Sequence, residues 1–85
     1  MSQAHVSDLE RHQNTVNRKG EELQRSISDV ESARDPTELL QRFNLARERA
    51  TVFKVASLAM VNACKRFIYS TLYRVTPEWY GIRSD

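Results

Sequence analysis

One dipeptide, Asp35-Pro36, divides this 85-residue sequence into two segments with helical patterning. Asp35 can cap a helix, Pro36 suits the first helical position because its missing amide donor would be unpaired there, and Glu38 follows three residues after the cap. A helix is therefore expected to begin at this step, after a turn at residues 32–35. Two glycines and two prolines are too few for the turns of an all-β fold, so the predicted fold class is all-α.

The first segment predicts a helix over about residues 7–31. Ser7 and Glu10 have the spacing of a capping box, which marks a helix start. Two sevenfold rows follow, as in the a and d positions of a coiled coil: Val6, Gln13, Gly20 and Ile27, and Leu9, Val16, Leu23 and Val30. Gly20 costs a helix about 1 kcal/mol relative to Ala, which indicates a weak point or a closely packed neighbouring helix.

The second segment predicts a longer helix over about residues 36–74, followed by a short C-terminal tail at 75–85 that includes Trp79 and Tyr80. Its apolar row consists of Leu39, Phe43, Ala46, Ala50, Phe53, Ser57, Met60, Cys64 and Phe67. From Val52 onward the apolar residues spread over most of the circumference. The whole sequence, 1–85, is thus expected to form a single helical domain, an antiparallel, coiled-coil-like hairpin with unequal helices.

The unequal lengths predict a segment that the first helix does not cover. If the chain folds back at residues 33 and 34, residue i of the first helix faces about residue 67 − i of the second, and the first helix ends opposite Val61. Leaving large apolar side chains in water costs about 1.5 to 3 kcal/mol each, so we expect this region to bind a partner. The predicted partner-binding residues are Met60, Cys64, Phe67, Ile68, Tyr69, Leu72 and Tyr73.

Composition argues against several other functions. A net charge of +2 does not predict nucleic-acid binding, although aromatic and basic residues near Tyr69 and Tyr73 leave base stacking open as an alternative. The single cysteine, Cys64, excludes an intrachain disulfide. Because His5, His12 and Cys64 lack the ligand number and spacing of a metal site, and no base is expected beside Cys64, neither a metal, a cofactor nor an enzymatic activity is predicted.

The apolar stretch of the second helix does not predict a membrane span. Lys54, Lys65, Arg66 and Arg74 interrupt it, and the charge-free interval is about half of the roughly 20 residues that a span requires. Contact with a membrane-embedded assembly stays open, because long basic side chains can snorkel. The first residues lack the pattern of a secretory signal peptide, so export by the general secretory route is not expected.

The sequence from Asp35 through Arg74, with Leu39-Leu40 and Phe43 in the first turns of the helix, resembles the needle and inner-rod subunits of bacterial type III secretion systems. This resemblance implies a structural subunit, secreted by a non-classical route or held in a bacterial envelope assembly, whose hairpins stack around a narrow conduit. It further implies that Lys65, Arg66 and Arg74 face the lumen or bridge subunits.

Two other functions explain the same pattern. One is a cytoplasmic helical-hairpin co-chaperone or adaptor that covers an apolar helix of another protein in a closed complex. The other is a homodimeric four-helix bundle, which follows from the heptad rows alone. An open assembly requires two complementary surfaces that repeat, whereas a closed complex requires one. All three hypotheses make the protein a non-enzymatic oligomer or partner-binding protein.

Overall fold

A computed structural model describes residues 3–75 of the chain. It consists of two α-helices, α1 over Gln3–Glu31 and α2 over Pro36–Val75, which pack against each other as a hairpin. This confirms the predicted all-α hairpin with a longer second helix. The predicted C-terminal tail, with Trp79 and Tyr80, lies outside the described residues.

The turn between the helices is fixed by hydrogen bonds from both sides. Asp35 caps α2, because its Oδ1 accepts a hydrogen bond from the Glu38 amide and its carbonyl accepts one from the Leu39 amide, both at 2.9 Å. Arg42 reaches back to the end of α1, where its Nη1 donates to the Asp29 carbonyl and to Ser32 Oγ, both at 2.8 Å. Since α1 has no basic residue in its own last turn, Arg42 supplies the positive charge that a helix C-terminus favours.

The register of the two helices differs from the sequence expectation. Asp8 pairs with Arg66, Gly20 lies against Phe53, and Glu22 pairs with Arg49. The residue numbers in these pairs total 71 to 74, so the expected relation of 67 − i was wrong. The reason is that Arg42 lies level with the end of α1, and α2 therefore extends past that end by more than one turn before the two helices run side by side.

This register shortens the segment of α2 that was expected to lack cover. Arg66 contacts Asp8, and Ala63 is the most buried apolar residue described, at 2% exposure. The expectation that the uncovered segment begins just after Val61 was therefore wrong. That segment begins beyond Arg66, because α1 starts at Gln3 and runs alongside more of α2.

The contact line between the helices combines a row of mostly small residues with a row of mostly larger ones. On α2, a sevenfold row of Arg49, Ala56, Ala63 and Ser70 faces α1 beside the row of Ala46, Phe53, Met60 and Phe67. Opposite them, Ser26 is 5% exposed and donates its hydroxyl to the Glu22 carbonyl at 3.1 Å. A Cβ added at Gly20 would lie 3.2 Å from Phe53 Cε1. Gly20 therefore makes room for the Phe53 ring of α2, which agrees with close packing against a neighbouring helix, one of the two alternatives that its position in the sequence left open.

Candidate interaction surfaces

The two long sides of the hairpin differ in chemistry. One side, here called the ionic face, carries Asp8, His12, Lys19 and Glu22 of α1 and Glu38, Arg42, Arg49 and Arg66 of α2. The opposite side, the groove face, carries the α1 row of Gln13, Gly20 and Ile27 and the α2 row of Phe43, Ala50, Ser57 and Cys64, together with the next sevenfold row outward on each helix. Each face thus consists of one set of sevenfold rows from α1 and the rows of α2 that lie beside them.

Ion pairs join the helices at two levels of the ionic face. Glu22 Oε2 lies 3.4 Å from Lys19 Nζ and 3.5 Å from Arg49 Nη1, so one carboxylate serves both helices. Toward the other end, Asp8 Oδ2 accepts a hydrogen bond from Arg66 Nη2 at 3.4 Å. These partly exposed pairs fix the register more than they stabilise the fold, because surface ion pairs contribute about 0 to 1 kcal/mol.

Asp8 is the most heavily partnered carboxylate described. Arg11 donates a hydrogen bond to Asp8 Oδ1, and His12 Nε2 lies 3.6 Å from the same oxygen. The hydrogen bond from Arg11, opposed by desolvation and supported by the bond from Arg66, lowers the pKa of Asp8 below its ordinary value. The Asp8 carboxylate is therefore favoured in its charged form, which suits a structural ion pair.

The groove face contains an open apolar groove near the turn. Its volume is about 410 Å³, and its lining consists of Leu23, Ile27, Val30, Phe43, Ala46, Arg47 and Ala50. Ile27 and Phe43 remain 49% and 47% exposed. Two members of the apolar rows that were expected to meet between the helices, Ile27 and Phe43, therefore open to solvent on this side.

Charged side chains border the groove face without ion pairs to any described residue. On α1 the outermost row of this face contains Glu10, Asn17, Gln24 and Glu31, with carboxylates only. On α2 the corresponding row contains Leu40, Arg47, Lys54, Val61 and Ile68, with cations only. No ion pair within the described part of the chain includes these charges. The groove face thus has one acidic edge and one basic edge.

The predicted partner-binding residues do not share one surface. Met60 and Phe67 lie half-buried against α1, and Cys64 is half-buried beside them. Ile68 is exposed on the groove face, whereas Tyr69 points from the far side of α2. Leu72 and Tyr73 are exposed near the end of α2. Of the basic residues assigned to the lumen or to bridging, Lys65 and Arg74 are exposed, and Arg66 forms the intrachain pair with Asp8.

Sequence reasoning missed the exposed apolar residues near the turn. Leu40 is 62% exposed, and Ile27 and Phe43 had been assigned to the contact between the helices. The signal was available in Arg49, Ala56, Ala63 and Ser70, a sevenfold row whose small residues allow close packing, with Arg49 snorkelling to Glu22. A prediction based on that row would have placed Phe43 outside the contact line.

Several other site types find no support among the described residues. No cluster of three or more His, Cys, Asp or Glu side chains there could hold a metal ion. Within residues 3–75, neither helix has an apolar stretch long enough to cross a membrane. The side chain of His5 lies outside the described part.

Comparison with known proteins gives a partial similarity. No protein-family model matches the chain, and no solved structure matches it. Over 63 residues the chain is 35% identical to oxysterol-binding protein 2 of Mus musculus, a match that covers 74% of this chain and 7% of that protein. The chain is thus similar to a short segment of a much longer protein.

Proposed function

We propose that this hairpin is a non-enzymatic interaction module that completes its core by packing against another protein chain. One observation carries the proposal. Among the described residues, Ala63 is the buried apolar side chain, whereas thirteen large apolar side chains are 41% to 70% exposed. Two helices with so small a core are marginal alone, and a partner that covers this surface would supply the missing burial.

The distribution of exposed residues favours a closed complex over an open assembly. On the outward side of α2, Val55 and Leu58 are neighbours three residues apart, and the polar residues Asn62 and Lys65 follow them. Apolar groups from both helices adjoin only on the groove face. One apolar groove shared by both helices suits a closed oligomer or a one-to-one complex, since an open filament needs two complementary faces.

The type III secretion hypothesis stays a prediction. The match to oxysterol-binding protein 2 lends it no support. Sterol binding by this hairpin is equally unsupported, because the match covers 7% of that protein and the groove is an open surface between two helices. Association with another protein chain is the function that agrees with the exposed apolar surface.

The experiment is thermal unfolding of the purified chain by circular dichroism over a hundredfold range of concentration, combined with its mass in solution. We expect either a Tm that rises with concentration or a 9.9 kDa monomer that is only marginally folded. A monomer that unfolds cooperatively, with high stability at every concentration, would contradict the proposal, because such a chain needs no partner.

A further inference from the structure

The groove face has a shape and charge pattern that fit a second copy of this chain. We infer that two hairpins pack groove face to groove face as a four-helix bundle, with their turns at the same end. This inference rests on the proposed function. In this arrangement a twofold axis runs parallel to the helices, and α1 of one copy packs against α2 of the other.

The area of the face is sufficient. α1 has 29 residues, which gives a length of about 43 Å, and two helices side by side span about 20 Å. The face therefore offers about 860 Å² per copy, close to the roughly 800 Å² that each partner contributes to a standard-size interface. Ile27 and Phe43, which are half-exposed in the hairpin, would then lie inside the bundle.

The charged edges decide the orientation. With both turns at the same end, the α1 edge of one copy, which carries Glu10 and Glu31, faces the α2 edge of the other, which carries Arg47 and Lys54. With the turns at opposite ends, each edge would instead face the same edge of the other copy. The two acidic edges would then lie along each other, as would the two basic edges, and edges of like charge repel each other. Charge complementarity thus favours the arrangement with the turns together.

Cys64 provides a direct test of this orientation. It lies on the groove face near the end of the hairpin away from the turn, at the level of Asp8, since Arg66 pairs with that residue. With the turns together, the two Cys64 side chains point toward the twofold axis at the same level. With the turns at opposite ends, they lie at opposite ends of the bundle.

The experiment treats the full chain with a short bis-maleimide at a concentration where it associates. Covalent dimers are expected, and Cys64→Ser is expected to form none. A matched control, Cys64→Ser combined with Leu45→Cys, moves the thiol to an exposed position on the opposite side of α2 and should also form none. Dimers in solution that Cys64 does not cross-link, or equal cross-linking of the Leu45→Cys control, would overturn the inference.

Sedimentation of two charge-introducing variants tests the face itself. Phe43→Glu should weaken association at least about thirtyfold, whereas Val52→Glu, which is similarly exposed on the other side of α2, should change it less than about threefold. Circular dichroism must show that both variants remain helical. If Phe43→Glu unfolds, Arg47→Glu replaces it, with an expected weakening of about threefold. Stronger association of Arg47→Glu would indicate the turn-opposed orientation and overturn the inference.

The outcomes also separate this inference from the proposed function. A monomer that is marginally folded at every concentration would overturn the inference that a second copy covers the groove face. The proposed function would still stand, with a different protein chain as the partner. A stably folded monomer would overturn both. A dimer that passes the cross-linking test supports both.

Discussion

The groove face and the ionic face both carry charged side chains but use them differently. On the ionic face, Glu22 and Asp8 each pair with cations from both helices. On the groove face, Glu31 and Arg47 border an apolar groove and form no ion pair with a described residue. The ion pairs of one face are formed within a single chain, while the other face leaves both its apolar groove and its charges to be matched by another molecule.

The difference shows that ion pairs and apolar contacts have different roles in this hairpin. The ionic face selects the register, because a shift by one helical turn would separate Asp8 from Arg66 and Glu22 from Arg49. It contributes little free energy, since these groups remain partly exposed to water. Stability must come from the contact line and from whatever covers the groove face.

The largest effect is expected where the two faces meet, at Phe53. We expect Phe53→Ala to lower the free energy of unfolding by about 2 to 3 kcal/mol, because it removes the ring that packs over Gly20. Val55→Ala, a matched control at 61% exposure, should cost less than about 0.5 kcal/mol. Urea denaturation at one fixed protein concentration measures both. Equal costs would show that the contact line is no more important than the exposed side of α2.

A smaller effect is expected for the glycine beneath that ring. Gly20→Leu should destabilise the hairpin by about 1 to 3 kcal/mol, because the added side chain meets Phe53 and forces the helices apart. Gly20→Ala should be close to neutral, since a gain in helix propensity of about 1 kcal/mol is offset by a contact at 3.2 Å. Thermal unfolding compares the two variants. A Gly20→Leu variant as stable as Gly20→Ala would mean that the helices do not approach closely here.

The smallest effect should come from the ionic face, through Asp8. Its folded pKa is lowered, so its charged form stabilises the fold above the unfolded pKa. This contribution is lost as the pH falls below about 4 and through the folded pKa. Asp8→Asn should remove this pH dependence and change stability at neutral pH only slightly. The check is the difference in Tm between wild type and variant at pH 7 and pH 3, and a difference that grows toward pH 3 would contradict the assignment.

The fold was readable from local signals, whereas the surfaces were not. Asp35-Pro36 and the apolar periodicity were enough to predict two helices and a hairpin, since capping and periodicity are properties of the sequence itself. The register depended on how far α2 extends past α1 before Arg42 reaches Ser32, which is a matter of three-dimensional geometry. The rotation of each helix depended on Ala63 and Ser26 packing more closely than larger residues allow. Phe53 and Met60 face α1 together with Ala63, so apolar periodicity alone did not determine the rotation of α2, and Phe43 was misplaced.

The hydrogen bonds that join the two helices also set an order of assembly. Arg42 and Ser32 are 10 residues apart in the chain, whereas Asp8 and Arg66 are 58 residues apart. Because the entropic cost of closing a loop grows with its length, contacts beside the turn form at the lowest cost, and each pair that forms shortens the loop for the next. The hairpin is thus expected to close from the turn outward, and the Asp8 end is expected to open first during local unfolding.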